Sequence, residues 1–218
     1  MDFDFFVNTV KALLPGVRYT LSLFFVTIVL SVPLGLLLAF LSSGRNRILK
    51  PFVRAYVFLM RGTPLMLQLF FFYFGLPFIP GIGEYLVLTR FTAACVAFVL
   101  NYAAYFCEIF RGGLLSIDPG QYEAAKVLGF SRFKTTVRIV MPQMFKVVLP
   151  PVSNETITLV KDTALVTAIG LVDLMQLTRA RVSATSNVTP FIVAAVFYLV
   201  MSFGLTKVFG ALEKRFRF

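Results

Sequence analysis

The sequence predicts an all-α integral membrane protein with about five transmembrane helices. Hydrophobic residues make up 58% of the 218 residues, charged residues make up only 14%, and the mean hydropathy is +0.85. A soluble domain carries about 25% charged residues and about 45–50% apolar ones. The composition therefore excludes a disordered chain and a small disulfide scaffold, and it favours helices that cross a bilayer.

Five apolar segments are candidates for these helices. The first, 19–44, contains no charge and exceeds the about 20 residues that a spanning helix requires. The second, third and fifth segments are also free of charge, whereas the fourth is interrupted by Glu155, Lys161 and Asp162. We predict one domain, 1–218, with spanning helices at about 17–43, 55–79, 88–111, 143–172 and 187–210.

The basic residues predict an orientation. With the N-terminus outside, 15 of the 21 Lys and Arg residues fall in inner segments, among them Arg45 and Arg47, and 6 fall in outer segments. Basic residues favour the cytoplasmic side of a membrane protein. An odd number of helices then places the C-terminus, with Arg217, in the cytoplasm. The net charge of +11 is thus interpreted as a topology signal, and no nucleic-acid partner is predicted.

The chain has few groups for metal or redox chemistry. It contains no histidine, and its two cysteines, Cys95 and Cys107, stand twelve residues apart in one predicted helix. That spacing corresponds to about 18 Å, which is too far for a disulfide. No glycine-rich stretch ending in Lys-Ser or Lys-Thr is present to bind nucleotide phosphates. We therefore expect no enzyme activity, no metal site and no directly bound cofactor.

A short cytoplasmic helix is predicted at 119–128, between the third and fourth spans. Asp118 can cap this helix, Pro119 suits its first position, and Gln121 completes a capping-box arrangement. Gly129 is a favourable residue for ending it.

The residues of this helix carry a motif with fixed spacing. Glu123, Ala124 and Ala125 are followed by three residues, Gly129, nine residues, Ile139, one residue and a Met-Pro pair. This pattern resembles the EAA loop of ABC importer permeases, in which a Leu usually stands where this chain has Met141. Further stretches that begin at Arg61, Glu108 and Lys161 resemble the branch of polar amino acid uptake permeases, which includes histidine, arginine, glutamine and cystine importers.

The resemblance implies a type I ABC importer permease with a MetI-like fold in a bacterial inner membrane. It implies that Glu123, Ala124, Ala125 and Gly129 dock against an ATP-hydrolysing subunit, which holds the ATP and Mg. The implied partners are two such ATP-binding subunits, a second permease subunit that is identical or related, and an extracytoplasmic binding protein, free or lipid-anchored, that delivers a polar amino acid.

Glu155 is the most informative charge, because a charged side chain deep in an apolar segment costs about 2.5–3.5 kcal/mol on insertion scales. Asn154, Thr158 and Asp162 add polar groups that helical spacing places on its side, and Asn101 and Tyr102 in the third helix are further candidates for a substrate pathway. A carboxylate there can bind the α-ammonium group of an amino acid. A buried ion pair, for example with Arg111, is the alternative.

Arg61, Glu108 and Arg111 lie near the predicted inner boundary of the membrane. Glu108 and Arg111 are three residues apart and can pair on one helix face. Packing with an interfacial ion pair is one interpretation, and a cytoplasmic gate or an intersubunit contact is the other.

Two other function classes compete with the importer permease. A secondary transporter or channel driven by an ion gradient usually shows inverted repeats, which this sequence lacks. A structural scaffold would not require Glu155 in an apolar segment.

Overall fold

The computed structural model describes residues 3–44 and 48–216, which form α-helices with short 3₁₀ and π turns and no strand. The all-α prediction is therefore confirmed. Of the basic residues used for the predicted orientation, Arg45, Arg47 and Arg217 lie outside the described residues. The helices are α1 (Phe3–Ser43), α2 (Leu49–Gly62), α3 (Leu65–Phe70), α4 (Arg90–Leu115), α5 (Pro119–Val127), α6 (Arg132–Thr135), α7 (Met141–Asp162), α8 (Leu174–Thr185) and α9 (Thr189–Phe216).

Helix α1 begins at Phe3, well before the predicted start at residue 17. Its 41 residues extend about 60 Å at 1.5 Å per residue, about twice the thickness of a bilayer's hydrocarbon core. The early part is stabilised by packing, since the fully buried Leu13 clusters with Leu174 of α8 and Val193 of α9. The charges of Lys11 and Arg18 limit the apolar segment without ending the helix, so hydropathy alone placed the start too late.

Helix α1 packs closely along α4, the helix that carries much of the site described below. A Cβ added to Gly35 would lie 2.6 Å from Cβ of Phe106 and 3.0 Å from the carbonyl oxygen of Ala103, so this position requires glycine. On α4, Ala93 and Ala97 are fully buried. Small residues let membrane helices approach closely, and this packing fixes α4 in the core.

The predicted second spanning helix, 55–79, is wrong as a single helix. The structure breaks it between α2 and α3, where the chain bends by 104° between α2 and the segment Leu65–Phe78. Thr63 has an extended backbone (φ −118°, ψ 145°), because a proline disfavours the helical conformation of the residue before it. Beyond α3 the chain continues as a π turn, Phe71–Gly75, and a 3₁₀ turn, Leu76–Phe78.

The fourth predicted helix, 143–172, is shorter than expected and is followed by a helix that the sequence did not predict. Helix α7 ends at Asp162, and a 3₁₀ segment, Thr163–Ile169, follows it. Helix α8 begins where Asp173 accepts hydrogen bonds from the backbone N–H groups of Met175 and Gln176, at 3.2 and 2.8 Å. Its polar composition gave no apolar periodicity to detect.

Length and hydropathy identify three helices that can span a membrane, or four if the bent pair counts as one span, among the described residues. Helices α1, α4 and α9 are each long and apolar enough to cross a membrane, and the bent pair α2–α3 is a fourth candidate. Helix α7 is less apolar because it carries Lys146, Glu155, Lys161 and Asp162. The count of five depends on α7 and stays a prediction.

Candidate functional site

The polar residues predicted for a substrate pathway meet in a cavity between the α2–α3 break, α4 and α7. Its volume is about 520 Å³, within the range of about 300–1,000 Å³ typical of small-molecule sites. Five of the six predicted pathway residues line it, and Asn154 does not. The polar side chains on its wall are Arg61, Thr63, Asn101, Tyr102, Tyr105, Glu155, Thr158 and Asp162.

One face of α7 supplies the acidic wall of the cavity. Glu155, Thr158 and Asp162 are spaced by three and four residues, so they stand above one another on the helix. Asn154 precedes Glu155 by one residue, which turns it by about 100° around the helix axis. For this reason the predicted grouping of Asn154 with Glu155 differs from the structure.

Asp162 is held in place by a side chain of α4. The hydroxyl of Tyr102 donates a hydrogen bond of 2.7 Å to Oδ2 of Asp162. The Tyr102 ring is buried and stacks on Phe98, with ring centroids 6.2 Å apart and an interplanar angle of 10°. Tyr102 therefore fixes the position of the carboxylate in the wall.

Glu155 differs from Asp162 because its carboxylate has no hydrogen bond and no ion pair within the described residues. The side chain is half-buried, and Asp162 and Arg61 act on it electrostatically. The ion pair with Arg111 that the sequence allowed is not formed, since Arg111 is bound to Glu108 instead. An unpaired carboxylate in an apolar segment can accept a cationic group from a ligand.

A cluster of charged side chains lies at one edge of the cavity. Arg111 donates two hydrogen bonds to Glu108, from Nε to Oε1 at 3.0 Å and from Nη2 to Oε2 at 2.6 Å, which confirms the predicted pairing. Nη1 of Arg61 lies 3.7 Å from the same Oε2, and its guanidinium lies 5.3 Å from the ring centroid of Tyr105. The Arg61 and Glu108 side chains are 43% and 26% exposed, so their pairing contributes at most about 1 kcal/mol.

Arg61 lies between this cavity and a second one. The second cavity has a volume of about 430 Å³, and its wall includes Arg54, Phe58, Arg61 and Glu108. The Arg61 side chain thus borders both spaces and is held there only weakly.

The predicted cytoplasmic helix is present as α5, Pro119–Val127. Oδ1 of Asp118 accepts a hydrogen bond from the N–H of Gly120 at 2.6 Å, as expected of a cap. The capping box is not completed, because Oε1 of Gln121 accepts a hydrogen bond from Gln143 instead. Gly129 has φ +73°, and the N–H of Phe130 bonds the carbonyl of Ala125 at 2.9 Å, which is the pattern of a Schellman motif.

The four residues of the predicted docking motif do not all face outward. Glu123, Ala124 and Gly129 are exposed, whereas Ala125 is only 1% exposed within the chain itself. Apolar side chains near them are also exposed, including Val127 at 87% and Leu128 at 73%. The outward surface at this end of α5 thus combines the charged Glu123 with exposed apolar side chains.

One residue of the site, Gln68, was not assigned a role from the sequence, whereas Tyr105 was a cavity candidate for which a place in the core was preferred. Gln68 is buried at the α2–α3 break, where it bonds Thr63 and Asn101. Tyr105 lines the cavity, and the Arg61 guanidinium lies over its ring. Pro64 was the available signal for Gln68, because a proline inside a predicted helix leaves a carbonyl that requires another donor.

No group of three or more Cys, Asp or Glu residues in the described part of the chain is arranged to hold a metal ion.

Known proteins are similar to most or all of the chain. The family model described as binding-protein-dependent transport system inner membrane component matches residues 31–218. The chain is 38% identical to the arginine transport system permease protein ArtQ of Bacillus subtilis (strain 168), over 100% of this chain and 98% of the relative.

Two solved structures share the fold. A crystal structure of an amino acid ABC transporter with histidines is 32% identical, with a TM-score of 0.88 and 99% of both chains covered. An inward-facing structure of the MetNI methionine ABC transporter is 21% identical, with a TM-score of 0.77, covering 95% of this chain and 97% of that one. These matches confirm the MetI-like permease fold that the sequence predicts.

Proposed function

Because the chain belongs to the family of binding-protein-dependent transport system inner membrane components, we propose that it forms part of the pathway of an ATP-driven importer for a polar amino acid. The observation that carries the proposal is the cavity of about 520 Å³ with Arg61, Glu155 and Asp162 on its wall. Every free amino acid carries an α-carboxylate and an α-ammonium group, and this wall offers a partner of opposite charge to each.

In this proposal Arg61 binds the carboxylate of the substrate and Glu155 binds its ammonium group. A guanidinium matches a carboxylate through two parallel hydrogen bonds, and the Glu155 carboxylate is unpaired within the described residues. Asp162, held by Tyr102, leaves a second negative charge in the wall. That charge favours a substrate with a cationic side chain, in agreement with the name of the arginine permease to which the chain is similar.

Arg61 also serves as a gate between the two cavities it borders. At rest it lies on Tyr105 and 3.7 Å from Glu108, which Arg111 holds in place. A substrate carboxylate competes for the same guanidinium, because the contact with Glu108 is long and partly exposed. Binding of the substrate then draws Arg61 away from Glu108 and opens the connection to the second cavity.

The exposed surface of α5 docks against the ATP-hydrolysing subunit. It presents Glu123, Ala124 and Gly129 together with the apolar Val127 and Leu128. The full transporter contains two ATP-binding subunits and a second permease subunit, identical or related, besides the extracytoplasmic binding protein. The ATP and Mg belong to the ATP-binding subunits.

The proposed location is the bacterial inner membrane, with the N-terminus outside and the C-terminus in the cytoplasm. The inner excess of Lys and Arg in the sequence supports this orientation. It places α5 and the edge formed by Glu108 and Arg111 on the cytoplasmic side. Reporter fusions test it: a reporter after Phe218 is expected inside, and a reporter near Thr185 is expected outside.

The test of the function is uptake into proteoliposomes that contain the complete transporter. We expect uptake of labelled arginine to require both ATP and the binding protein and to resist ionophores. Uptake driven by an ion gradient without ATP would instead support a secondary transporter or channel. In binding competition, arginine amide and N-acetylarginine should both compete poorly, because the first lacks the carboxylate and the second lacks the ammonium group.

A further inference from the structure

The break between α2 and α3 leaves one backbone carbonyl without its usual partner. In an α-helix the carbonyl of residue i accepts from the N–H of residue i+4. For Met60 that residue is Pro64, which has no N–H. A carbonyl that is removed from water without a donor destabilises the fold, so another donor is required.

Two buried amide side chains supply that donor. Nε2 of Gln68, in α3, donates to the Met60 carbonyl at 2.9 Å, and Nδ2 of Asn101, in α4, donates to the same oxygen at 3.0 Å. Nδ2 of Asn101 also donates to Oε1 of Gln68 at 3.1 Å, which ties the two amides together. Gln68 and Asn101 are 7% and 4% exposed, so both amide side chains are buried.

The network extends to the residue that precedes the proline. Nε2 of Gln68 contacts the hydroxyl of Thr63 at 2.8 Å and its carbonyl at 3.2 Å, and the Thr63 hydroxyl bonds the carbonyl of Leu59 at 2.9 Å. The last turn of α2, the break and α4 are thereby fixed to one another.

The peptide unit held by these amides is the one that joins Met60 to Arg61. Its carbonyl receives two donors from two different helices, so both its position and its tilt are fixed. The Arg61 backbone begins at the nitrogen of this unit, and its side chain reaches the cavity wall from there. Both N–H groups of the Asn101 amide are used in this arrangement, which leaves no Asn101 donor for a ligand.

We propose that Gln68 and Asn101 are positioning residues that hold Arg61 at the cavity wall through the Met60–Arg61 peptide unit. Asn101 was expected to be a pathway residue, and it acts here through Arg61. The inference rests on the proposed function, in which Arg61 binds the substrate carboxylate. Gln68 and Asn101 therefore contribute to ligand affinity as well as to folding.

The test is a double-mutant cycle on the purified permease–ATPase complex, with equilibrium binding of labelled arginine as the readout. Asn101→Leu and Gln68→Met remove the amides without adding charge. Each is made in the wild-type background and in an Arg61→Gln background. In the wild-type background we expect affinity to fall about tenfold, and in the Arg61→Gln background by less than about twofold, because coupled residues are non-additive.

Two further measurements distinguish a role in positioning Arg61 from a general loss of folding. The exchanged pair Gln68→Asn with Asn101→Gln keeps both amides and should recover affinity to within about threefold of wild type. A threefold change in affinity corresponds to about 0.7 kcal/mol of binding free energy. Hydrogen–deuterium exchange of peptides covering residues 57–66 should rise in Asn101→Leu and stay unchanged in Glu155→Gln. The exchange readout does not depend on arginine being the substrate.

An equal loss of affinity in both backgrounds, or unchanged exchange at 57–66 in Asn101→Leu, overturns the inference. Failure of the proposed function has a different signature. In that case Arg61→Gln alone binds arginine like the wild type, while exchange at 57–66 still responds to Asn101→Leu.

Discussion

Two groups of polar side chains lie in the apolar interior of this protein, and they differ in how completely they are paired. At the α2–α3 break, both N–H groups of Asn101 and the amide of Gln68 are hydrogen-bonded, and every bond ends on a neighbouring helix or on the break itself. On α7, Asp162 has one bond from Tyr102, and Glu155 has none within the described residues.

The difference separates polar groups that build the fold from polar groups that await a ligand. A polar group in an apolar interior is retained either because its hydrogen bonds stabilise the structure or because its function requires it. The amides at the break replace a backbone donor lost at Pro64, so their loss should affect folding. Glu155 makes no hydrogen bond or ion pair within the described residues, so its loss should affect binding more than folding.

The largest effect is expected outside both groups, at the end of α5. Gly129 has φ +73° on the exposed surface proposed to dock the ATPase subunit, and Asp at this position adds a charge and a side chain to that surface. We expect Gly129→Asp to abolish uptake while the purified permease still binds arginine. Gly81→Asp is the matched control, because Gly81 also has a left-handed backbone (φ +84°) and open space around it. Normal uptake by Gly129→Asp would exclude α5 from coupling.

The next effect tests the fully paired group. Asn101→Leu removes one of the two donors to the Met60 carbonyl and leaves the buried Oε1 of Gln68 without the Asn101 N–H, at a cost of about 1–3 kcal/mol. At about 2–4 °C per kcal/mol for a chain of this length, the melting temperature should fall by several degrees. Asn154→Leu serves as the control, because Asn154 is exposed and outside the cavity. An unchanged melting temperature for Asn101→Leu would mean that the amide network does not stabilise the break.

The smallest effect is expected at the partly exposed charge cluster. Glu108→Gln weakens the pairing with Arg111 and Arg61, and exposed ion pairs contribute at most about 1 kcal/mol. The melting temperature should therefore change by no more than about 4 °C. Thermal unfolding beside the exposed Glu84→Gln variant measures the difference. A fall of more than about 10 °C would mean that the cluster is structural, because it exceeds this bound.

The helix bounds were predicted best where an apolar segment is bounded by charged residues, as for α4. They were predicted worst where tertiary contacts determine where a helix begins or ends. The early start of α1 depends on packing of Leu13 against α8 and α9. Helix α8 depends on the Asp173 cap and on contacts with α1. Neither of these leaves the periodic spacing of apolar residues from which a helix is predicted.

The site was predicted in its composition but only partly in its pairing. Spacing along one helix was sufficient to pair Glu108 with Arg111 and to align Glu155 with Asp162. It could not reveal that Asn101 meets Gln68, because those residues come from different helices and meet only after the chain breaks at Pro64. The orientation of Ala125 toward its own chain was likewise a tertiary property.

In the proposed function Glu155 binds the substrate and does not stabilise the fold. Glu155→Gln keeps the shape of the side chain and removes its charge. The decisive measurement determines the melting temperature and labelled-arginine binding on the same purified permease–ATPase complex. We predict an unchanged melting temperature with affinity about 10- to 100-fold weaker, since a charge-assisted hydrogen bond contributes about 1.5–3 kcal/mol. A markedly lower melting temperature, or unchanged affinity, would contradict the claim.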